Sequence, residues 1–376
     1  PGLLRKDVFE IPSGVKVYGG FVGTEDSLQK RNWNTHLTIL SGEIGSVQLN
    51  DNTYHVVLFR ATNDTTQLDG FTIRGGYAEF FVGNGNTNLN DPAVQASGGG
   101  VLAIDKAKGT ITHCVLTDNR AVGGGAMHLR DSSQLHLTQS ILWGNEANFG
   151  GGVYVLGGSQ PNLVNVLIVN NKGLGGGLYA NRSRPVLINC TIASNKDEGN
   201  NAGGIYNANS VTMVKNSIVW GNSPQQSNGG SVITYSIVEG GHAGTGNKNL
   251  NPQFVNPNSV GLAPMGSLGN YHLQPCSPGI DASENAVAPL VDLEGAVRPF
   301  PMGIGIADMG VYESQTTGTS GPNHLSITEN ITSGTVLKAG TWITANNQLA
   351  NATVVYQGTK SLSNPAHNLH TEAVGY

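Results

Sequence analysis

Apolar residues recur through the centre of this chain in short alternating runs, broken by Gly and Asn, and the runs repeat in step with one another. Aligned on a terminal asparagine (Asn119, Asn145, Asn171, Asn195 and Asn222), five units fall into columns. Ile111, Leu137, Leu163, Leu187 and Val214 stand eight positions before it, and Leu116, Leu142, Ile168, Ile192 and Val219 stand three before it. Between these aliphatic columns lie Cys114, Ser140, Val166, Cys190 and Ser217, all small, as expected where a bending chain leaves little interior room. Alternation over so short a span, with no 3.6-residue stripe, predicts β-strands rather than helices. Units of this length cannot bury a core alone and must stack on their neighbours. The expected architecture is all-β, a right-handed parallel β-helix (solenoid), each coil rising about 4.8 Å.

Glycine marks one corner of every coil. Runs begin at Gly98, Gly123, Gly150 and Gly175, with Ala202-Gly203-Gly204 as the fifth, at spacings of 25, 27, 25 and 27 residues. A tight corner needs positive φ or close backbone approach, and glycine supplies both. After the runs, one column points in and the next out, which makes Leu102, Met127, Tyr154, Tyr179 and Tyr206 an outer ladder. Such a ladder either stacks against sugar rings or packs on itself along the face. Two polar columns, the terminal asparagines and His113, Gln139, Asn165, Asn189 and Asn216, are both placed to hydrogen-bond up and down the stack.

Outside the five units the pattern loosens. Strand sequences for further coils occur at Val15–Phe21, Thr38–Gly42, His55–Phe59 and Leu68–Ile73. The charged stretch Glu25–Asn34 reads as an excursion from the first coil that covers the open end, where bare strand edges would otherwise pair with other chains. Ala78–Ser97 is a longer insertion at a corner, and loops on a rigid scaffold are where binding tends to reside.

Composition removes several function classes. Glycine makes up 53 of 376 residues, about twice the usual ~7 %. Charged residues are 12 % and the net charge is −5, with no Lys/Arg cluster, so no nucleic-acid partner is expected. No apolar run reaches the ~18 residues of a membrane span. The chain opens at Pro1 inside strand-like sequence, without a start methionine or signal peptide, and reads as processed or partial. Cys114 and Cys190 share a column three coils apart, about 14 Å at the coil spacing. A disulfide needs Cα atoms within about 7 Å. Both are therefore expected to be free, buried thiols, and Cys276 unpaired.

Chemistry-bearing residues are sparse. Polysaccharide lyases and hydrolases on such a scaffold need carboxylates gathered on adjacent coils. Asp105 and Asp131 lie at similar points of neighbouring coils, with Lys106, Lys108 and Arg130 beside them, but the next coil offers Leu156-Gly157-Gly158 and the one after it Arg182 and Arg184. No acidic column develops. Asp118 and the Asp197-Glu198 pair have no carboxylate partner at their levels, and the ten histidines show no metal-ligand spacing. No catalytic residue, metal ligand or cofactor is assigned. Candidate binding residues are Tyr154, Tyr179 and Tyr206 of the ladder, with Trp143 and Trp220, which share a column two before the terminal Asn and either stack on a sugar or cover a loop. Asp26-Ser27-Leu28 and Asp64-Thr65-Thr66 fit a short O-glycosylation pattern, at Ser27 and Thr65.

The glycine-aliphatic and aliphatic-x-x-Asn units resemble the repeats of polymorphic outer-membrane proteins, and Gly14–Phe21, Thr38–Gly42 and Leu68–Gly76 resemble bacterial right-handed β-helix surface proteins. Asn251–Val255, Tyr271–Ala282, Asp292–Gly295 and Asp308–Glu313 are similar to the terminal segment of "choice-of-anchor Q" proteins, with Cys276 where that pattern commonly has Gly. Such a segment closes the β-helix. These resemblances imply a β-helix over 1–314 that includes a closing segment 250–314. A linker follows at 315–323, and 324–376, with strands Thr341–Ala345 and Ala352–Tyr356 and the ending Asn368–Ala373, resembles the small "coat-hanger" β-stack of secreted bacterial proteins. The expected function is that of a non-enzymatic, extracellular adhesive or structural surface protein, including a self-assembling filament. Its partners would be other surface proteins, copies of itself, or glycans. The alternative is a carbohydrate-active enzyme using Asp105 and Asp131.

Overall fold

A strand sends alternate side chains to opposite sides, and stacking one coil on the next sets like positions above one another. The structure, a computed structural model, describes residues 4–46, 48–78, 92–260 and 267–315 and the strands Gly340–Ile343, Leu349–Val354 and Ala373–Gly375. Its coils form three parallel faces. The first is an eight-stranded sheet running from Phe9–Ile11 through Val101–Ile104, Val153–Leu156 and Leu178–Asn181 to Gln225–Ser227. The second, fourteen-stranded, holds both aliphatic columns. The third contains Tyr77–Ala78, Arg120–Gly123, Glu146–Phe149 and Lys172–Leu174.

The expected columns pair in register. Leu137 lies between Ile111 and Leu163, and Leu142 between Leu116 and Ile168. All of these side chains have 0 % exposure and belong to one continuous core. Cys114 and Cys190 are buried in it, and all three cysteines are free. Burial pushes the Cys114 and Cys190 thiols up to about 12.

The terminal asparagines form a buried hydrogen-bonded ladder. Each Nδ2 donates to the next Oδ1, at 3.1 Å from Asn119 to Asn145, 2.9 Å to Asn171, 3.1 Å to Asn195 and 3.0 Å to Asn222. Gln226 ends the series, its Oε1 accepting from Asn222 at 2.8 Å. Each Nδ2 also donates to the backbone of the preceding coil, as Asn145 does to Leu116 O at 2.9 Å. The backbone amide of Asn119 donates to Asn145 Oδ1 as well. One side chain per coil thus supplies the donors and acceptors that a buried corner leaves unpaired.

The glycine register differs from the sequence expectation by one residue in one coil. The equivalent corner glycines are Gly98, Gly124, Gly150 and Gly175, with φ between +62° and +70°. Gly123 instead ends the strand Arg120–Gly123. The run Gly123-Gly124-Gly125-Ala126 is one small residue longer than its neighbours, and that hides the slip. Met127 consequently points into the core, and His128 occupies the outer ladder opposite Leu102 and Tyr154.

The second amide column is not a stacking ladder either, apart from one bond from Asn216 Nδ2 to Asn189 Oδ1 at 3.3 Å. His113, Gln139, Asn165, Asn189 and Asn216 have φ from +42° to +54°. This left-handed conformation turns their side chains outward to grip other segments. The excursion after Lys16–Tyr18 is one of these, and it seats on the flank of the coils rather than over their open end. Its Arg31, buried, donates to Gly19 O and Asp69 O and pairs with Asp69 at 2.6 Å, while Trp33 lies 4.0 Å from the His113 ring.

At the C-terminal end, Gly340–Ile343, Leu349–Val354 and Ala373–Gly375 form an antiparallel three-stranded sheet. Of the linker expected at 315–323, residues 316–323 lie outside the described residues, as do 344 and 345 of the first expected strand, 355 and 356 of the second, 368–372 of the expected ending and 79–91 of the insertion.

Replacing Asn145 with Ala leaves the Asn119 amide and one Asn119 Nδ2 hydrogen without partners in the interior and removes one of the donors to Leu116 O. The expected loss of stability is about 3 kcal/mol or more in urea unfolding. Gln160→Ala, at an exposed turn, is expected to change stability by no more than about 0.5 kcal/mol.

Candidate functional site

Two corner columns flank the outer surface of the strands carrying Leu116, Leu142, Ile168, Ile192 and Val219. Residues 250–260 and 267–314 lie across that surface between the columns. On one side Gln139 Nε2 donates to Asp292 O, Asn165 Nδ2 to Val291 O, Asn189 Nδ2 to Asp308 O and Asn216 Nδ2 to Glu284 O, at 2.7 to 3.1 Å. On the other side Asn170 Nδ2 donates to Ser259 O at 2.9 Å, Ser194 Oγ donates to Asn258 O at 2.8 Å, and Tyr271 Oη donates to Asn170 Oδ1 at 3.1 Å. Leu167, Val169, Ala193 and Ile218 meet Phe254, Tyr271, Met309 and Val311 between them in a second apolar core. Trp143 and Trp220 are partly buried against this core, so they cover the docked segment instead of facing solvent together.

The clamp has an ionic centre. Arg298 and Glu313 are 0 % and 1 % exposed and pair at 2.8 Å. Arg298 also donates to Asn165 Oδ1 and Gly310 O. Glu313 accepts from the Phe300 and Asp308 amides as well. Burial raises both Glu313 and Asp308, and Asp308 is pushed up to about 7 by burial first and the Glu313 charge second.

The aromatic ladder packs on itself. His128 stacks on Tyr154 at 4.5 Å, Tyr154 lies 4.9 Å from Tyr179, and Tyr179 stacks on Tyr206 at 5.2 Å, with Phe149 5.6 Å from Tyr179. Tyr179 is only 7 % exposed. Tyr154 and Tyr206 keep partly open edges. His128 is buried with both ring nitrogens unpartnered among the described residues, and burial holds it neutral, pushed down to about 3.

Beyond the ladder, the first face turns into the second at a column of positive-φ residues: Ala61, Asp105, Asp131, Gly157, Arg182 and Asn209. Asp105 and Asp131 are adjacent here, as their spacing predicts, and Arg130 Nε binds Asp131 at 3.0 Å. From Gly158 onward the corner opens into a groove of about 640 Å³ across four successive coils, lined by Gln160, Arg182, Arg184, Asn207, Asn209 and Asn228 among others. Sequence reasoning missed this groove, because its residue types change from coil to coil while the search followed uniform columns. Ser27 and Thr65 are exposed, Ser27 just before a short 3₁₀ turn and Thr65 bonded to Asn63 at 2.8 Å. Among the described residues no group of three or more His, Cys, Asp or Glu is placed to hold a metal, and no helix is long and apolar enough to cross a membrane.

A family model described as "Right handed beta helix region" matches residues 55–274, more than half of the chain. The chain belongs to the right-handed β-helix family. The match begins in the second coil and extends into the docked segment of this β-helix protein. No curated protein and no solved structure matches it.

A carboxyl whose folded pKa is raised holds its proton more tightly in the folded state. Its contribution to stability is therefore full below the unfolded value of 3.8 and declines as pH rises to about 7. The unfolding midpoint of the native chain is expected to be lower at pH 8 than at pH 5.5. Asp308→Asn should flatten this difference, and an undiminished difference in that variant would rule out Asp308 as its source.

Proposed function

We propose that this β-helix protein is a non-enzymatic, extracellular bacterial surface protein with a structural or adhesive role that binds glycans along its flank. The observation that supports this most directly is the make-up of the positive-φ corner column. Its carboxylates stop after Asp105 and Asp131, Asp131 is already bound to Arg130, and the next coils present Gly157, Arg182 and Asn209 over a polar groove. Amide and guanidinium groups recognise hydroxyls and anions without supplying an acid/base pair. The buried asparagine ladder and the clamp along the flank suit a rigid stalk. The first-coil strands Phe9–Ile11, Lys16–Tyr18 and Thr38–Ser41 pair on one side only among the described residues, which favours addition of another copy of the chain there. The family resemblances to polymorphic outer-membrane and anchored surface proteins point the same way.

One observation favours the enzymatic alternative, a polysaccharide lyase or hydrolase. Asp105 and Asp131 occupy the same corner on adjacent coils, about 4.8 Å apart along the stack. A polysaccharide-cleavage screen separates the two roles, with negative-stain microscopy of the same sample to look for filaments or ordered arrays. No polymer is expected to shorten. Cleavage that disappears in Asp105→Asn/Asp131→Asn, substitutions that tolerate positive φ, would make the chain an enzyme.

A further inference from the structure

The groove at the corner between the first and second faces has the chemistry of an anion site. Arg182 and Arg184 stand on one coil, both exposed, and no ion pair engages either of them among the described residues. Among the described residues no acidic one lines the groove, although the whole chain carries a net charge of −5. Along the corner column the preceding carboxylate is Asp131, two coils away and held by Arg130 at 3.0 Å.

The scaffold beneath the two arginines is fixed. Ser183 between them is buried, its amide donating to Ser210 Oγ and its hydroxyl to Asn181 O, each at 3.0 Å. Arg182 sits at φ +50°, where its column otherwise holds Ala, Asp, Gly and Asn. The turn fixes this backbone, and with it the direction in which the Arg182 side chain leaves the corner. On the neighbouring coils Gly158 leaves room, and Gln160 and Asn209, both exposed, add amide groups.

We propose that this groove binds a linear glycan bearing carboxylate or sulfate groups. Arg182 and Arg184 would grip the anions and the amides would bind hydroxyls. Guanidinium forks match carboxylate and sulfate geometry in two-point contacts. The four coils repeat these polar groups over about 14 Å, which suits a repeating polymer. Single-stranded nucleic acid needs stacking aromatic faces, which the lining lacks. An acidic peptide added as a strand needs a free sheet edge, which the groove meets only at its last coil, between Gln225–Ser227 and Ser231–Thr234, two coils away from Arg182 and Arg184.

The inference rests on the glycan-binding surface role and names its ligand class. The test uses the full chain with polygalacturonate, dextran sulfate and neutral dextran, by calorimetry at low and at moderate salt. Binding to at least one anionic polymer, weakened by salt and absent with neutral dextran, is expected; the stronger of the two names the anion. Arg184→Gln, outside the positive-φ corner, and Arg182→Asn/Arg184→Gln are expected to lower affinity ~10-fold or more, with unfolding midpoints near that of the native chain. No binding to either anionic polymer, or equal binding by both variants, overturns the site. Chain length of the recovered polymer is read in parallel. Shortened polymer with Arg-dependent binding would overturn the non-enzymatic role and leave the groove standing, whereas intact polymer without binding would remove the groove alone.

Discussion

Every coil of this protein must turn at the same few corners, and it does so mostly through residues held at positive φ. Side chains that tolerate that conformation are few, and asparagine leads among the non-glycine ones. In the column His113, Gln139, Asn165, Asn189 and Asn216 the turn aims each side chain outward, away from its counterpart in the next coil. A steric requirement of the backbone thereby becomes a row of hydrogen-bonding groups along the flank. The N-terminal excursion meets the row at His113, and Glu284, Val291, Asp292 and Asp308 meet it from Gln139 to Asn216.

Burying Arg298, Glu313 and Asp308 together on that flank is costly unless every polar atom is satisfied. Arg298 reaches Glu313, Asn165 Oδ1 and Gly310 O, which joins the docked segment to a corner residue of the coil stack. The apolar contacts of Phe254, Tyr271, Met309 and Val311 supply bulk burial, and the ionic centre fixes the register in which they dock. Trp143 and Trp220 belong to this arrangement, so their exposure in a free solenoid would have been a product of looking at the repeats without the segment that covers them.

The core columns were legible because period, strand alternation and residue size all agree there. Leu137 between Ile111 and Leu163 follows from spacing alone. The terminal asparagines were legible for the same reason, since a uniform amide column at one strand spacing has little to do but bond to itself. Two features misled. Four small residues in succession, Gly123 to Ala126, carry no mark of which one turns the corner, so the sequence alone puts Met127 outside, where the structure has His128. The two amide columns look alike in sequence, yet one lies inside at the end of a strand and the other at a left-handed corner. Backbone conformation, invisible in a residue list, decides between a ladder and a seam.

The groove lies where uniformity fails. A column that repeats one residue type answers a demand made by every coil, as the asparagine ladder does. The corner Ala61, Asp105, Asp131, Gly157, Arg182, Asn209 shares only its positive φ, so its side chains answer to something other than the turn. Ala61, Asp105, Asp131, Arg182 and Asn209 all carry a β-carbon through that turn, and Arg182 gains no ion pair among the described residues. With Gly157 and Gly158 withdrawing side chains from the neighbouring coil, the same corner provides both the space and the charge. In a solenoid whose regular columns are committed to its own cohesion, recognition falls to the positions that the repeat leaves free to vary.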